Sequence, residues 1–233
     1  MQKHAVIVAG GSGTRLGGGL PKQFQPLCGR PMLWWALNAF ADEDNETVIH
    51  LVLPEAYIPL WKELESSLPE SDRIPLMVHS GGATRTESVV SALSSIASDE
   101  NILIAVHDAA RPVVDKSMIE RGWETAGMYG AAVPVVPVTD SLRCLQENGG
   151  SVVADRSRYV AVQTPQVFRA NLLKDAYKKI DEGNFTDDAS VVEFSGTVPY
   201  LYEGRHDNIK VTNPGDMEIA AILLQRLKSS QKR

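Results

Sequence analysis

Short apolar runs alternating with stretches of helical periodicity dominate this chain. Residues 5–8 (Ala, Val, Ile, Val) are of strand length and end in glycines, the pattern of a buried strand feeding a loop. Trp34, Leu37 and Phe40 then recur at helical spacing behind Pro31, which suits a first helical turn. Residues 48–53 read as a second strand, 57–68 as a helix stopped by Pro69, and 76–78 as a short strand. The segment 84–97 reads as an amphipathic helix with Val89, Leu93 and Ile96 on one face, and 102–106 as a buried strand. Strand and helix have by then alternated four times. That predicts a mostly parallel sheet with helices on both faces, whose ligand sits beyond the strand C-termini.

The rhythm changes after a predicted helix at 118–129 and a strand at 131–136. Residues 138–159 read as two polar-alternating segments around Asn148-Gly149-Gly150, a hairpin signal. Leu142, Leu145, Val152 and Val153 find no obvious partner in a doubly wound sheet, so the hairpin is expected to be an arm that packs on another subunit; a surface ornament is the alternative. Residues 160–162 form a short apolar run ahead of Gln163-Thr164-Pro165-Gln166, 172–180 are helical, and Thr186-Asp187-Asp188 resembles a helix N-terminus. Strands are predicted at 198–202 and 209–211. A final helix follows Asn213-Pro214 with Met217, Ile219, Ala220, Ile222, Leu223 and Leu227 on a broad apolar face. With no repeat and no low-complexity linker, the expected organisation is one domain over residues 1–233, a Rossmann-like doubly wound α/β fold with an inserted β-hairpin arm at 138–159.

Composition narrows the partners. Of 233 residues, 43% are hydrophobic and 22% charged, ordinary globular usage. The net charge of −6 argues against nucleic-acid or anionic-membrane binding, so any phosphate site must be a local cluster of cations. Cys28 and Cys144 match no metal or redox spacing, no apolar run reaches membrane-span length, and the N-terminus shows no signal-peptide pattern. A soluble cytoplasmic protein with free thiols is expected.

The candidate chemistry lies in residues 8–22, where the first strand opens into Gly10, Gly11 and Gly13 and the segment closes with Arg15 and Lys22. Glycines there let backbone N–H groups face an anion, and the two cations supply charge for a triphosphate. A flexible glycine-rich turn is the plain alternative. A dinucleotide fingerprint fails because Leu16 stands where its third glycine belongs, and a Walker loop fails because no Gly-Lys-Ser or Gly-Lys-Thr occurs. Gly17, Gly18 and Gly19 are expected to form a flap over the triphosphate.

Ala9-Gly10-Gly11-x-Gly13-Thr14-Arg15 followed by Lys22 resembles the signature loop of sugar-phosphate nucleotidyltransferases. Gly81-Gly82-x-x-Arg85-x-x-Ser88, His107 to Pro112, Asp155-Arg156, Thr164-Pro165-Gln166 and Asp207 to Thr212 narrow the resemblance to the 2-C-methyl-D-erythritol 4-phosphate cytidylyltransferase family. The resemblance implies attack by a sugar-phosphate oxygen on the α-phosphorus of CTP, releasing pyrophosphate. It implies that Arg15, Lys22 and Lys210 stabilise the triphosphate charge, and that Asp108 holds Mg²⁺ or another divalent cation with help from Asp207. Ala9, Gly10, Gly11, Gly13, Gly82, Arg85 and Ser88 would bind CTP. Arg156 would cross from the arm to a neighbouring subunit and, with Thr186, Asp140, Ser141 and Arg143, bind the sugar-alcohol phosphate, which makes a homodimer part of the site. Two positions depart from the family pattern: Thr139 stands where arginine is frequent and Ser141 replaces a usual threonine. A ribitol-5-phosphate cytidylyltransferase is the nearest alternative reading, and a non-catalytic nucleotide sensor is the alternative from another class. His107 reads as a packed or hydrogen-bonded histidine, since no second histidine stands at ligand spacing.

Overall fold

The computed structural model describes residues 1–10, 19–41, 46–147, 149–180 and 185–230. Strand β1 (Gln2–Val8) leads through β2 (Pro26–Leu27) and β3 (Arg30–Pro31), a two-stranded ribbon, into α1 (Met32–Phe40). There follow β4 (Thr47–Leu53), α2 (Ile58–Ser67), β5 (Met77–Ser80), α3 (Arg85–Leu93), β6 (Ile102–Asp108), α4 (Lys116–Tyr129) and β7 (Ala131–Pro137). The chain then forms β8 (Leu142–Leu145), β9 (Ser151–Ala154), β10 (Val160–Val162) and β11 (Gln166–Arg169). It closes with α5 (Ala170–Lys178), α6 (Asp188–Phe194), β12 (Tyr200–Glu203) and α7 (Pro214–Ser230).

The main sheet runs β10-β7-β11-β6-β1-β4-β5, and β12 also pairs with β7. β5, β4, β1 and β6 are parallel, as the alternation predicts. Because side chains of a strand alternate between faces, β1 feeds two cores. Ala5 and Ile7 pack with Leu33, Leu37, Trp61 and Trp123 on one face, while Val6 and Val8 pack with Val89, Leu93, Phe168 and Leu173 on the other. A third cluster joins Trp34, Trp35 and Leu27 to Ala220 and Leu224 of α7.

The structure corrects several of the expected elements. The apolar run 209–211 is not a strand; Val211 is buried instead against the helices of the third cluster, and its N–H donates to the Ala110 carbonyl (2.8 Å). Gln166–Arg169, with only two apolar residues, is a strand, lying antiparallel between β6 and β7. His107 and Asp108, expected just past the fourth long strand, are the last two residues of β6. The helix expected at 84–97 stops at Leu93.

A hairpin forms inside the expected segment 138–159, with paired strands shorter than it. β8 and β9 pair only with each other, in the register Leu142↔Ala154 and Arg143↔Val153. Leu145 is 83% exposed and Val153 77%, so the arm offers apolar side chains to solvent in the single chain. Among the described residues, no helix is long and apolar enough to cross a membrane.

Candidate active site

The sheet changes winding direction between β1 and β6: β1 is followed by β4 on one side, and the chain returns to β6 on the other. Such a switch point leaves a crevice beyond the strand C-termini. The turns there leave the sheet in register, since Ala9 N–H donates to the Val52 carbonyl (2.9 Å), Gly81 to Leu53 (2.7 Å) and Ala109 to Val8 (3.0 Å). A cleft of about 270 Å³ opens between them. It brings Ala9, Gly10, Gly82, Arg85 and Ser88 together with Lys22, Asp108 and Lys210, which lie far apart along the chain. Gly11, Gly13 and Arg15 lie outside the described residues, as do Gly17 and Gly18 of the expected flap.

The Gly81-Gly82 turn is dictated by the cap of α3. Thr84 and Glu87 form a capping box, with Glu87 N–H on Thr84 Oγ1 (3.1 Å) and the Glu87 carboxylate accepting from Ala83 N–H (2.6 Å) and Thr84 N–H (3.3 Å). A Cβ on Gly82 would stand 2.3 Å from Glu87 Cβ, and one on Gly81 2.9 Å from Ser88 Oγ. Glycine alone leaves the backbone this close to the helix and the cleft wall uncovered.

Lys210 reaches the cleft through a side-chain lattice. Asn208, fully buried, donates from Nδ2 to the Thr164 carbonyl (2.9 Å), and Arg111 Nη1 donates to the Asn208 carbonyl (2.8 Å). Thr164 Oγ1 accepts from Asp108 N–H (3.1 Å) and donates to His107 Nδ1 (3.0 Å), while His107 Nε2 donates to the Arg111 carbonyl (3.1 Å). The Arg111 carbonyl requires the proton on Nε2, and burial keeps the ring neutral by pushing its pKa down to about 4 against the opposing pull of Asp108. His107 is therefore a strut under the site.

With this lattice in place, Lys210 Nζ sits 2.7 Å from Asp108 Oδ2, and Arg85 Nε lies 3.6 Å from Asp108 Oδ1. Burial alone would raise the Asp108 pKa, but Arg85 and Lys210 outweigh it and hold the carboxyl at about 2. Lys22 Nζ donates to the Val211 carbonyl (2.7 Å), tying the end of the glycine loop to the segment that carries Lys210. Gln23, not singled out in the sequence, also lines the cleft and holds the Ala9 carbonyl (3.0 Å). Its position next to Lys22 is the available signal.

Asp207 does not face this cleft. Its carboxylate is taken by Arg205, Nε to Oδ1 at 2.8 Å and Nη2 to Oδ2 at 2.6 Å, and Arg205 also pairs with Asp115 (2.7 Å). Asp108 is consequently the one carboxylate lining the cleft among the described residues, and no cluster of three or more His, Cys, Asp or Glu among them is arranged to hold a metal. The expected sugar-phosphate residues lie elsewhere in the single chain. Arg143 donates to Ser151 Oγ (2.7 Å) and to the Ser151 carbonyl (2.8 Å) across the hairpin, and Arg156 Nη1 donates to the Thr139 carbonyl. Asp140, Ser141 and Thr186 are exposed, and none of the five lines the cleft.

Comparison with known proteins points one way. Residues 3–226 match the family model described as IspD, 2-C-methyl-D-erythritol 4-phosphate cytidylyltransferase. A relative of that name from Bacteroides thetaiotaomicron is 43% identical over 224 residues, covering 96% of this chain and 100% of the relative. The crystal structure of the enzyme of that name from Thermus thermophilus is 32% identical with a TM-score of 0.75, covering 97% of this chain and 100% of that one. A structure titled 4-diphosphocytidyl-2C-methyl-D-erythritol synthase is 28% identical with a TM-score of 0.77 over 96% of this chain and 100% of its own.

Proposed function

The chain belongs to the 2-C-methyl-D-erythritol 4-phosphate cytidylyltransferase family, and from that premise we infer that it transfers the cytidylyl group of CTP to 2-C-methyl-D-erythritol 4-phosphate, giving 4-diphosphocytidyl-2-C-methyl-D-erythritol and pyrophosphate. The observation that carries this reading is the meeting of Lys210, Asp108 and Arg85 with the backbone of Ala9, Gly10 and Gly82 at the sheet's switch point.

The transferred phosphorus needs no covalent help from the protein. A phosphate oxygen of the sugar phosphate forms the new P–O bond as the bond from the α-phosphorus to pyrophosphate breaks, and charge builds on the α-phosphate oxygens. Fixed cations and in-line positioning are what lower such a barrier. Lys22 and Lys210 are proposed to supply that charge, with Arg15 as a third cation on the strength of the family motif. Ala9, Gly10 and Gly82 are proposed to read the pyrimidine edge through backbone groups, Gly11 and Gly13 to turn their amides to the phosphates, and Arg85 and Ser88 to flank the nucleoside.

Asp108 fits Mg²⁺ as a single carboxylate, because that ion is commonly held by one or two carboxylates with substrate phosphates and water. Bound there, the cation would neutralise triphosphate charge. Asp207, committed to Arg205, is left to orient the segment that carries Lys210.

The sugar-phosphate half is proposed to be completed by dimerisation. The whole chain acts as one unit whose arm, residues 138–159, packs on a second copy, and the partner's Arg156 joins Asp140, Ser141, Arg143 and Thr186 around the substrate phosphate. Bare apolar residues on the arm support this. The test is pyrophosphate release from CTP and Mg²⁺ with each sugar phosphate in turn. Turnover is expected with 2-C-methyl-D-erythritol 4-phosphate; turnover with ribitol 5-phosphate alone would overturn the reading.

A further inference from the structure

Asp188 is a carboxylate with no exposed surface, set in the first turn of α6, and it lies outside the cleft. A charge so deeply buried is costly unless it is paired and hydrogen-bonded. Both needs are met. Arg85 Nη2 donates to Asp188 Oδ2 at 2.6 Å, and the buried Tyr177 hydroxyl donates to Oδ1 at 2.6 Å. Arg85 also carries its Nε 3.6 Å from Asp108 Oδ1 at the cleft wall. The guanidinium is thus bonded to one carboxylate outside the cleft and lies near a second that lines it.

A guanidinium is a rigid plane, so fixing Nη2 on a buried carboxylate limits where Nε can point. A long side chain reaching an open cleft would otherwise sample many rotamers, and ordering it would weaken every contact it makes with a ligand. We propose that Asp188 is a positioning residue for nucleotide binding, acting through Arg85 by holding its guanidinium against the Asp108 side of the cleft. The same contact ties the nucleotide cleft to the turn that carries Thr186. Asp187 caps α6 through Ser190 N–H (3.0 Å), and the buried Gln166 grips both the Asp187 carboxylate (2.8 Å) and Ala189 N–H (2.8 Å). The α6 N-terminus is therefore a firm anchor, and any force on Arg85 is felt there.

This role rests on the proposed binding of CTP, and the test separates the two. CTP binding to the full chain is measured by calorimetry, and turnover with 2-C-methyl-D-erythritol 4-phosphate, for wild type, Asp188→Asn, Arg85→Gln and the double variant. Asp188→Asn is expected to raise the CTP KM on the order of 10- to 100-fold, the range for a charged hydrogen bond, while kcat stays within about threefold, the sign of lost uniform binding. The double variant is expected to bind CTP no more weakly than Arg85→Gln alone. Unchanged CTP affinity in Asp188→Asn, additive losses, or a fall in kcat with KM unchanged would each overturn the proposal, the last because it marks only a loss of folded protein. If Asp188→Asn does not fold, hydrogen exchange on wild type decides: CTP alone is expected to slow exchange at Ala189 and Ser190, and no change there overturns the proposal. A wild type that binds no CTP refutes the functional reading itself; one that binds CTP without turnover refutes the substrate assignment and leaves this cycle readable.

Discussion

The nucleotide cleft and the hairpin arm are built on opposite plans. In the cleft, the charged groups have partners within the chain: Lys210 with Asp108, Arg85 with Asp108 and Asp188, and Lys22 with the Val211 carbonyl. Cleft charges are fixed before a ligand arrives, which is what electrostatic catalysis requires. On the arm, Arg143 and Arg156 are spent on carbonyls of the hairpin's own neighbourhood, and Leu145 and Val153 are bare. An isolated two-stranded hairpin is marginal in water. The difference teaches that the nucleotide half of the proposed site has its charges paired inside one chain, whereas the sugar-phosphate half has them only if the proposed dimer forms.

Breaking the nucleotide half is expected to cost most. Lys210→Ala removes a cation held 2.7 Å from Asp108, and kcat is expected to fall on the order of 10²- to 10³-fold, as for loss of one preorganised transition-state contact. Circular dichroism should remain that of the folded chain, because the Lys210 side chain is 47% exposed and packs in none of the apolar clusters. Unchanged turnover would remove Lys210 from the chemistry.

Breaking the sugar-phosphate half is expected to cost less, and to be repairable. Arg156→Ala should raise the KM for the sugar phosphate roughly 10- to 100-fold through loss of a charge-assisted contact. Mixing it with a Lys22→Ala chain should restore about a quarter of wild-type activity, because statistical exchange leaves one intact site in about half of the dimers. Leu145→Asp with Val153→Asp should yield monomers by sedimentation. A fully active monomer would sink the shared site.

How much of this is legible in the sequence follows the same division. The parallel strands around β1 show themselves because they are continuous apolar runs, and the hairpin because Gly149-Gly150 marks its turn. β11 is hidden: Gln166 and Arg169 are polar, yet Gln166 is wholly buried because it caps α6 from within the sheet. In sequence, Asp188 reads as an ordinary first-turn carboxylate. Only its distance to Arg85, 103 residues away along the chain, reveals its partner, and no local pattern carries that information. Asp207 shows the converse, since a suggestive position near Lys210 does not tell that Arg205 claims its carboxylate.

A smaller effect sharpens the account of the cleft wall. Gly82→Ala places a Cβ 2.3 Å from Glu87 Cβ, which forces the capping box apart. The cost is expected to be about 1–2 kcal/mol, as for loss of a helix cap, seen as a lower thermal midpoint together with weaker CTP binding. Lower stability with unaltered CTP affinity would separate the cap from the cleft.

The gentlest probe is acid, which touches the sheet that carries the cleft before it touches the cleft's own charges. His4, His50 and His79 stand on adjacent strands β1, β4 and β5, linked by His4 Nδ1 to His50 Nε2 and His50 Nδ1 to His79 Nε2, each 2.9 Å. Burial, then the neighbouring imidazoles, lowers the His50 pKa to about 4 from 6.5, and burial lowers the other two. The unfolded chain binds these protons more readily than the folded one, so the stability they contribute is complete above about pH 6.5 and is lost as pH falls toward 4. For His50 alone the loss amounts to roughly 3 kcal/mol at the bottom of that window. Asp108, held at about 2, stays ionised throughout, so the cleft should keep its charge while the sheet beneath it weakens. The thermal midpoint is expected to fall between about pH 6.5 and 4.5, and His50→Asn should flatten the slope. His107, also lowered to about 4 by burial, adds to the same slope, so a midpoint independent of pH across that range would mean that all four imidazoles are protonated as readily in the folded chain as in water.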